Sequence, residues 1–340
     1  TTAATANGSQ FIGGLVGQSS GAVNNASASG TVTATGQYAG GLIGDHQSTT
    51  PVTDVNASGA VTGTSYVGGL LGRGQADVIN ASANGSVNGT RSTGASNSGG
   101  YVGGLIGQAT SSSGSPITVS NAHASGVVNA TNTGTYAYTG GLVGEFQNAG
   151  NVTDVSATGD INASEPGGGH RVGGLVGELQ HNSADFILAN ASATGDVVAT
   201  GRRVGGLIGY YKDGDGVETS YARGNVSTDG DWVGGLIGDT NNDGAITDSY
   251  ARGDVTTSGD NVGGLVGETE GVDVTRSYAS GRVKGGSTVG GLVGNNNGQL
   301  TGAYWDKGAT NQTDATGSGT PVGATGYGTV GDTQALEMQG

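Results

Sequence analysis

Short apolar runs recur along the chain at nearly regular intervals, and glycine brackets each of them. The pentad Gly-Gly-Leu-(Val/Ile/Leu)-Gly begins at Gly13, Gly40, Gly68, Gly103, Gly140, Gly173, Gly205, Gly234, Gly263 and Gly290, with successive copies 27 to 37 residues apart. The longer intervals hold insertions, among them Thr110–Ser115 and Pro166–Gly169. A second block follows each pentad. Its fullest forms begin Ser220-Tyr221-Ala222, Ser249-Tyr250-Ala251 and Ser277-Tyr278-Ala279, and in the N-terminal half the block reads Asn25-Ala26-Ser27-Ala28-Ser29-Gly30. Runs rich in Val, Thr and Tyr that end at Gly, Asn or Asp predict short strands and tight turns. Helical periodicity is absent through nearly the whole chain.

Each unit reads as three short strands separated by turns. A unit this small buries no core alone, but stacked units do, because equivalent residues then lie about 4.8 Å apart along one axis. The pentad leucines (Leu15, Leu42, Leu70, Leu105, Leu142, Leu175, Leu207, Leu236, Leu265 and Leu292) would form one internal ladder. The following aliphatics would form a second, and Tyr221, Tyr250 and Tyr278 a third. The expected fold is all-β: a parallel β-helix or β-solenoid of about ten glycine-rich coils, three short strands per coil, capped at both ends. A stack of antiparallel hairpins is the alternative. Residues 1–10 read as an N-terminal lead-in or cap, 11–300 as the repeats, and 301–340 as a C-terminal cap or exit segment. There Tyr304-Trp305-Asp306 replaces the Ser-Tyr-Ala block, and Asp332 is placed to cap a short helix over 333–338.

Composition fits this picture. Glycine supplies 73 of 340 residues, roughly three times the ordinary share, and its fixed positions argue for close-packed backbone. The formal net charge is −15, which disfavours nucleic acid and anionic membranes as partners. With only Lys212, Lys284 and Lys307 as lysines, the acidity reads either as a device for solubility or as adaptation to high salt. No cysteine is present, so disulfides and thiolate metal sites are excluded. No run approaches the 18 or so apolar residues that a spanning helix needs, and the opening Thr1-Thr2-Ala3-Ala4-Thr5-Ala6 is compatible with a processed secreted N-terminus.

The ten pentads alternating with Ser-Tyr-Ala-x-Gly blocks resemble the GLUG-motif repeat family. Ala303-Tyr304-Trp305-Asp306 and Ala335-Leu336-Glu337-Met338-Gln339 resemble the segment that closes such proteins. The resemblance implies a secreted or surface-attached, adhesin-like bacterial or archaeal protein, and it supplies no catalytic residue. The chain departs from the family pattern in its first six units, where Ser often stands at the Tyr position, as in Asn25-Ala26-Ser27, Asn56-Ala57-Ser58, Asn80-Ala81-Ser82 and Asn190-Ala191-Ser192.

The inventory for catalysis is poor. His46, His123, His170 and His181 form no His-Glu-x-x-His pair, and no thiol nucleophile exists. No Gly-x-Ser-x-Gly elbow stands in a strand–helix setting. Asp160, Asp196 and Asp254 recur at equivalent positions, as exposed turn residues would. The expected protein is therefore a non-catalytic extracellular structural or adhesive component. Its expected partners are other surface proteins, copies of itself or extracellular glycans, with no nucleic acid and no membrane insertion. A self-assembling filament or surface-layer subunit and a carbohydrate-binding solenoid are the alternatives.

Three kinds of site remain. Asn-x-Ser/Thr acceptors for N-glycosylation occur at Asn7, Asn25, Asn56, Asn80, Asn84, Asn88, Asn129, Asn151, Asn162, Asn190, Asn225 and Asn311. Asn25, Asn56, Asn80 and Asn190 are read as one repeat column. Asp239, Asn241 and Asp243 match the start of an EF-hand-like calcium loop, although position twelve is Tyr250 and an ordinary Asx turn explains them too. Calcium is the one cofactor considered. Tyr211 and Trp232, outside the repeated Tyr column, are candidates for sugar stacking, with a core or cap role as the other reading.

Overall fold

A computed structural model describes residues 5–91, 100–111, 114–132, 136–164, 169–181, 186–241 and 244–330. It is a parallel β-solenoid in which each coil pairs in register with the next. Four sheets of 10, 10, 11 and 15 strands run its length. Within a coil the chain passes through an inbound strand (Tyr38–Gly40), an outbound strand (Ile43–His46), a long strand (Val52–Ala57) and a short strand (Val61–Gly63). Equivalent strands build the inbound, outbound, long and short sheets. Every recorded strand pair is parallel, as in Tyr66↔Tyr101, Val67↔Val102 and Gly68↔Gly103; the hairpin alternative is excluded.

The coil thus has four strands, not three. The extra one comes from the pentad, which is a re-entrant corner where a continuous run was expected. Its first and last glycines let the inbound and outbound strands fold back at backbone contact. A Cβ on Gly40 would stand 1.9 Å from the Ile43 carbonyl oxygen, and one on Gly144 would stand 2.6 Å from that of Gly107 and 2.8 Å from that of Tyr138. No side chain fits there.

The second glycine of the pentad meets the other block of the repeat. A Cβ on Gly41, Gly69, Gly174 or Gly235 would lie 2.8 to 3.0 Å from the Cβ of Ala57, Ala83, Ala193 or Ala251. These alanines close the long strands. Glycine and alanine therefore form a waist along the solenoid, and two separate cores lie beside it. One is filled by pentad leucines and the aliphatics that follow them, packed on the long sheet. The other is a valine stack (Val32, Val61, Val87, Val128) between the short and inbound sheets. The leucine ladder is as expected: from Leu42 to Leu292 each member is fully buried, and Leu15 in the first coil is 44% exposed. Shared carbonyls reinforce it, since both Leu42 N and Ile43 N donate to the Leu70 oxygen, at 2.9 and 3.0 Å.

Tyr221, Tyr250 and Tyr278 do not form the third internal ladder. They stand half-buried on the outer side of the long sheet, stacked with centroids 5.0 Å apart. Strand alternation decides this: Ser220 and Ala222 on either side of Tyr221 point inward, so Tyr221 points outward. The buried serine takes a backbone role. Ser220 Oγ donates to the Glu218 carbonyl at 2.7 Å and accepts from Ala191 N at 3.1 Å, and Ser249 and Ser277 repeat the pattern.

At the C-terminal end the sequence breaks the repeat while the sheets continue. Thr316–Gly319 extends the outbound sheet and Ala324–Tyr327 the long sheet. Trp305 takes the place of the waist alanine over Gly291. A single helical turn, Lys307–Thr310, follows, its start capped by Asp306, whose carboxylate accepts from Gly308 N and Ala309 N. The helix expected over 333–338 lies outside the described residues.

Candidate functional site

In a solenoid the functional unit is a column of equivalent side chains. The most chemically dense columns flank the re-entrant corner. On the inbound strands Phe11, Tyr38, Tyr66, Tyr101 and Tyr138 stack with centroids 4.6 to 5.2 Å apart. Arg171, Arg203 and Trp232 continue this column. Facing it on the outbound strands are Asp45, Arg73, Gln108, Glu145, Glu178, Tyr210, Asp239 and Glu268.

The two columns interlock. Arg73 pairs with Asp45 at 2.8 Å and lies 4.8 Å over the Tyr38 ring. Arg171 pairs with Glu178 between the rings of Tyr138 and Tyr210. Arg203 pairs with Asp239 at 2.6 Å between Tyr210 and Trp232. Cation–π contact and ion pairing act on the same guanidinium in each case.

Burial tunes the acids of this seam. Glu145, held by Gln108 at 2.6 Å and Gln147 at 3.1 Å, has its carboxyl pushed up to about 7, chiefly by desolvation. Asp239 is raised to about 6 by desolvation, which the Arg203 hydrogen bond only partly offsets. Buried His170 is lowered to about 4 by desolvation. These are shifts of a packed structural seam. Among the described residues no three His, Cys, Asp or Glu side chains are grouped to hold a metal ion.

The two described calcium candidates, Asp239 and Asn241, are engaged by other side chains. Asp239 lies on the strand Ile237–Asn241, 4% exposed and committed to Arg203, so a cation there would have to displace that guanidinium. Asn241 donates to Glu270 at 2.8 Å, and Asp243 lies outside the described residues. Tyr211 points inward, fully buried beside Phe186, and offers no ring face to a sugar. Trp232 is half-buried, with Arg202 and Arg203 over its ring and its indole N–H donated to Glu268.

The sequons sort into columns that the triplet pattern alone does not separate. Asn25, Asn80 and Asn190 share a left-handed position with φ of 53 to 54°, which Asp54, Asn121, Asp154, Thr219, Asp248 and Arg276 fill in the other coils. Asn56 does not belong to it; it pairs in register with Ser27 and Ser82 and donates to Ser82 Oγ at 2.6 Å. The φ > 0 site favours Asn, Asp or glycine, although Thr219 and Arg276 also occupy it, and in the second coil Asp54 fills it. Amides in this column donate along the axis, Asn80 to Asp54 at 2.9 Å and Asn190 to Asp154 at 3.2 Å.

Asn88, Asn129 and Asn162 stack on the short sheet, each Nδ2 at 3.0 Å from the preceding Oδ1. Asn7 starts the same column and Asn311 caps the helical turn at φ 57°. Asn84 accepts from Ser125 Oγ and Asn151 from Ile187 N. Asn225 falls in a third column, Asp160–Asp196–Asn225–Asp254, where each side-chain oxygen accepts the next coil's backbone N–H. The exposed Asp residues at equivalent positions are thus turn ladders, a role that sequence equivalence had signalled.

The family profile described as Glug, the GLUG motif, matches residues 135–162 and 168–198. A protein of Haloquadratum walsbyi (strain DSM 16790 / HBSQ001) named Halomucin is 88% identical over 305 residues, which are 89% of this chain and 3% of that protein. The chain therefore spans a small part of the curated relative it matches. No solved structure matches it significantly. The two profile matches fall within a run of ten pentads whose corner, waist and leucine ladder repeat coil by coil, and the chain carries the GLUG motif.

Proposed function

We propose that the chain is an extracellular structural segment, a stiff non-catalytic spacer that presents side-chain columns at the cell surface. The observation that carries this reading is the unbroken stacking: fully buried leucines run from Leu42 to Leu292 through sheets of at least ten strands. Such a stack resists bending because each coil is hydrogen-bonded to its neighbours over four sheets. The charged seam is taken up by internal ion pairs and hydrogen bonds. The 88% identity to a segment of a protein named Halomucin, from a halophilic archaeon, supports both the surface reading and adaptation to high salt. Partners on this reading are other surface proteins or extracellular glycans that meet the outer columns.

Antibodies raised against this segment test the proposal on cells of the source organism. Intact cells should be labelled as strongly as lysed ones. Labelling only after lysis would overturn it.

A further inference from the structure

We propose that Asn225 carries an N-linked glycan, a reading that rests on the extracellular location argued above. The structure separates this sequon from those whose Nδ2 is committed to a neighbouring coil, as at Asn80, Asn129, Asn162 and Asn190, by which end of its amide faces the solenoid. Asp254 N donates to Asn225 Oδ1 at 2.9 Å, and a backbone N–H requires an acceptor there, so the oxygen is turned to the next coil. The amide nitrogen is therefore on the solvent side of an exposed residue, and Ser227, the sequon hydroxyl, is exposed two residues on.

The column explains why this orientation is fixed. Asp196 N donates to Asp160, Asn225 N to Asp196 at 2.7 Å, and Arg282 N to Asp254 at 2.8 Å. Each coil needs one side-chain oxygen for the ladder and leaves the second branch to water. In the aspartates that branch is the other carboxylate oxygen; in Asn225 it is Nδ2, the atom a glycosyl group would take. The contrast is Asn190. Its Nδ2 is directed along the axis at Asp154, 3.2 Å away, from a backbone held at φ 53°. A sugar on that nitrogen would crowd the neighbouring coil, which lies about 4.8 Å away.

In the step itself the Asn225 Nδ2–C1 bond forms as the anomeric C–O bond of a phosphate-linked glycosyl donor breaks. The phosphate leaves with the C–O electron pair and one amide proton is lost. A linked glycan leaves Oδ1 as an acceptor, so the ladder survives modification.

Trypsin isolates the two sequons. Cleavage after Arg171, Arg202, Arg223 and Arg252 gives the peptides 172–202 and 224–252, whose single sequons are Asn190 and Asn225. In protein recovered from a haloarchaeal host with an N-glycosylation pathway, mass spectrometry should find glycan mass on 224–252, in at least several-fold excess over 172–202. Ser227→Ala and Asn225→Asp should each remove it. Both keep a ladder acceptor at 225, so circular dichroism should be unchanged. An unmodified 224–252 peptide in material that reaches the cell surface would overturn the inference and leave the extracellular reading standing. Equal occupancy of 172–202 would also overturn it, and failure to reach the surface would overturn both.

Discussion

Replacing Gly144 by alanine probes the re-entrant corner, the feature on which the coil shape depends. The added methyl would meet three backbone atoms: the Gly107 oxygen at 2.6 Å, and the Tyr138 oxygen and Val102 nitrogen, each at 2.8 Å. Ordinary contact begins at 3.4 Å. All three are ladder groups with no rotamer to relax into, so the coils themselves must part. Overpacking of this kind costs about 1–3 kcal/mol, and each weakened ladder bond adds about 1 kcal/mol. The loss of unfolded-chain entropy returns about 0.4–1 kcal/mol. The net expectation is a destabilisation of about 3 kcal/mol. Gly21 is the control: a methyl there meets nothing within 4 Å, and Gly21→Ala should be neutral or slightly stabilising. Urea unfolding followed by far-ultraviolet circular dichroism, in the salt used for purification, reads both variants. A lowered m-value in Gly144→Ala would report the array breaking into two cooperative parts. If the two variants unfold within 1 kcal/mol of each other, the close packing of inbound and outbound strands is wrong.

Three further outcomes follow from the seam and the core. The Glu145 carboxyl, raised by burial to about 7, binds its proton more tightly in the folded state. The stability it contributes is full below the unfolded carboxyl pKa, about 4.3, and is lost as pH rises through 7. Glu145→Gln should remove that loss of about 3 kcal/mol, so the variant should be the more stable protein at pH 8 and show no advantage at pH 4; parallel pH profiles would refute this. Arg203→Ala strands the buried Asp239 carboxylate and two aromatic faces, and should cost about 3 kcal/mol in the urea midpoint; a change below 0.5 would show the pair to be ornamental. Leu142→Ala leaves a void in a fully buried ladder and should cost about 3–5 kcal/mol by the same assay.

What the sequence disclosed was whatever repeats in residue type. The leucine ladder, the coil number and the parallel stack are legible because Leu and Gly recur in each unit. Features set by backbone geometry were hidden. The pentad reads as one apolar strand, yet contact between Gly40 and the Ile43 carbonyl turns it into two. The pairing of the second pentad glycine with the alanine of the following block was equally silent, since a contact between two small residues leaves no pattern of its own.

Strand parity could have placed the tyrosines outside: in Ser-Tyr-Ala the two small residues share a face, and that face is the waist. Asn56 was misassigned because a shared triplet is not a shared register. Aligning on Gly30 and Gly59, which touch in the structure, would have set Asp54, not Asn56, beside Asn25. The sequence left Tyr211 between a sugar-stacking and a core role, and Asp239 between a calcium loop and an ordinary turn, because neither burial nor the partner Arg203, 36 residues away, is written in the local sequence.

The account stands most directly on distance set by coil number instead of residue number. The chain has no cysteine, so pairs of introduced cysteines can carry spin labels on the outer column of the short sheet, where Asn7, Thr33, Thr62, Asn88, Asn129, Asn162, Val198, Ser227, Thr256 and Lys284 follow one another in register. At about 4.8 Å per coil, electron double resonance should give narrow distributions near ~24 Å for Thr62/Ser227, ~34 Å for Thr62/Lys284 and ~43 Å for Asn7/Lys284. Distances that fail to grow linearly with coil number, or that track the inserted loops between Asn88 and Asn162, would contradict the parallel solenoid.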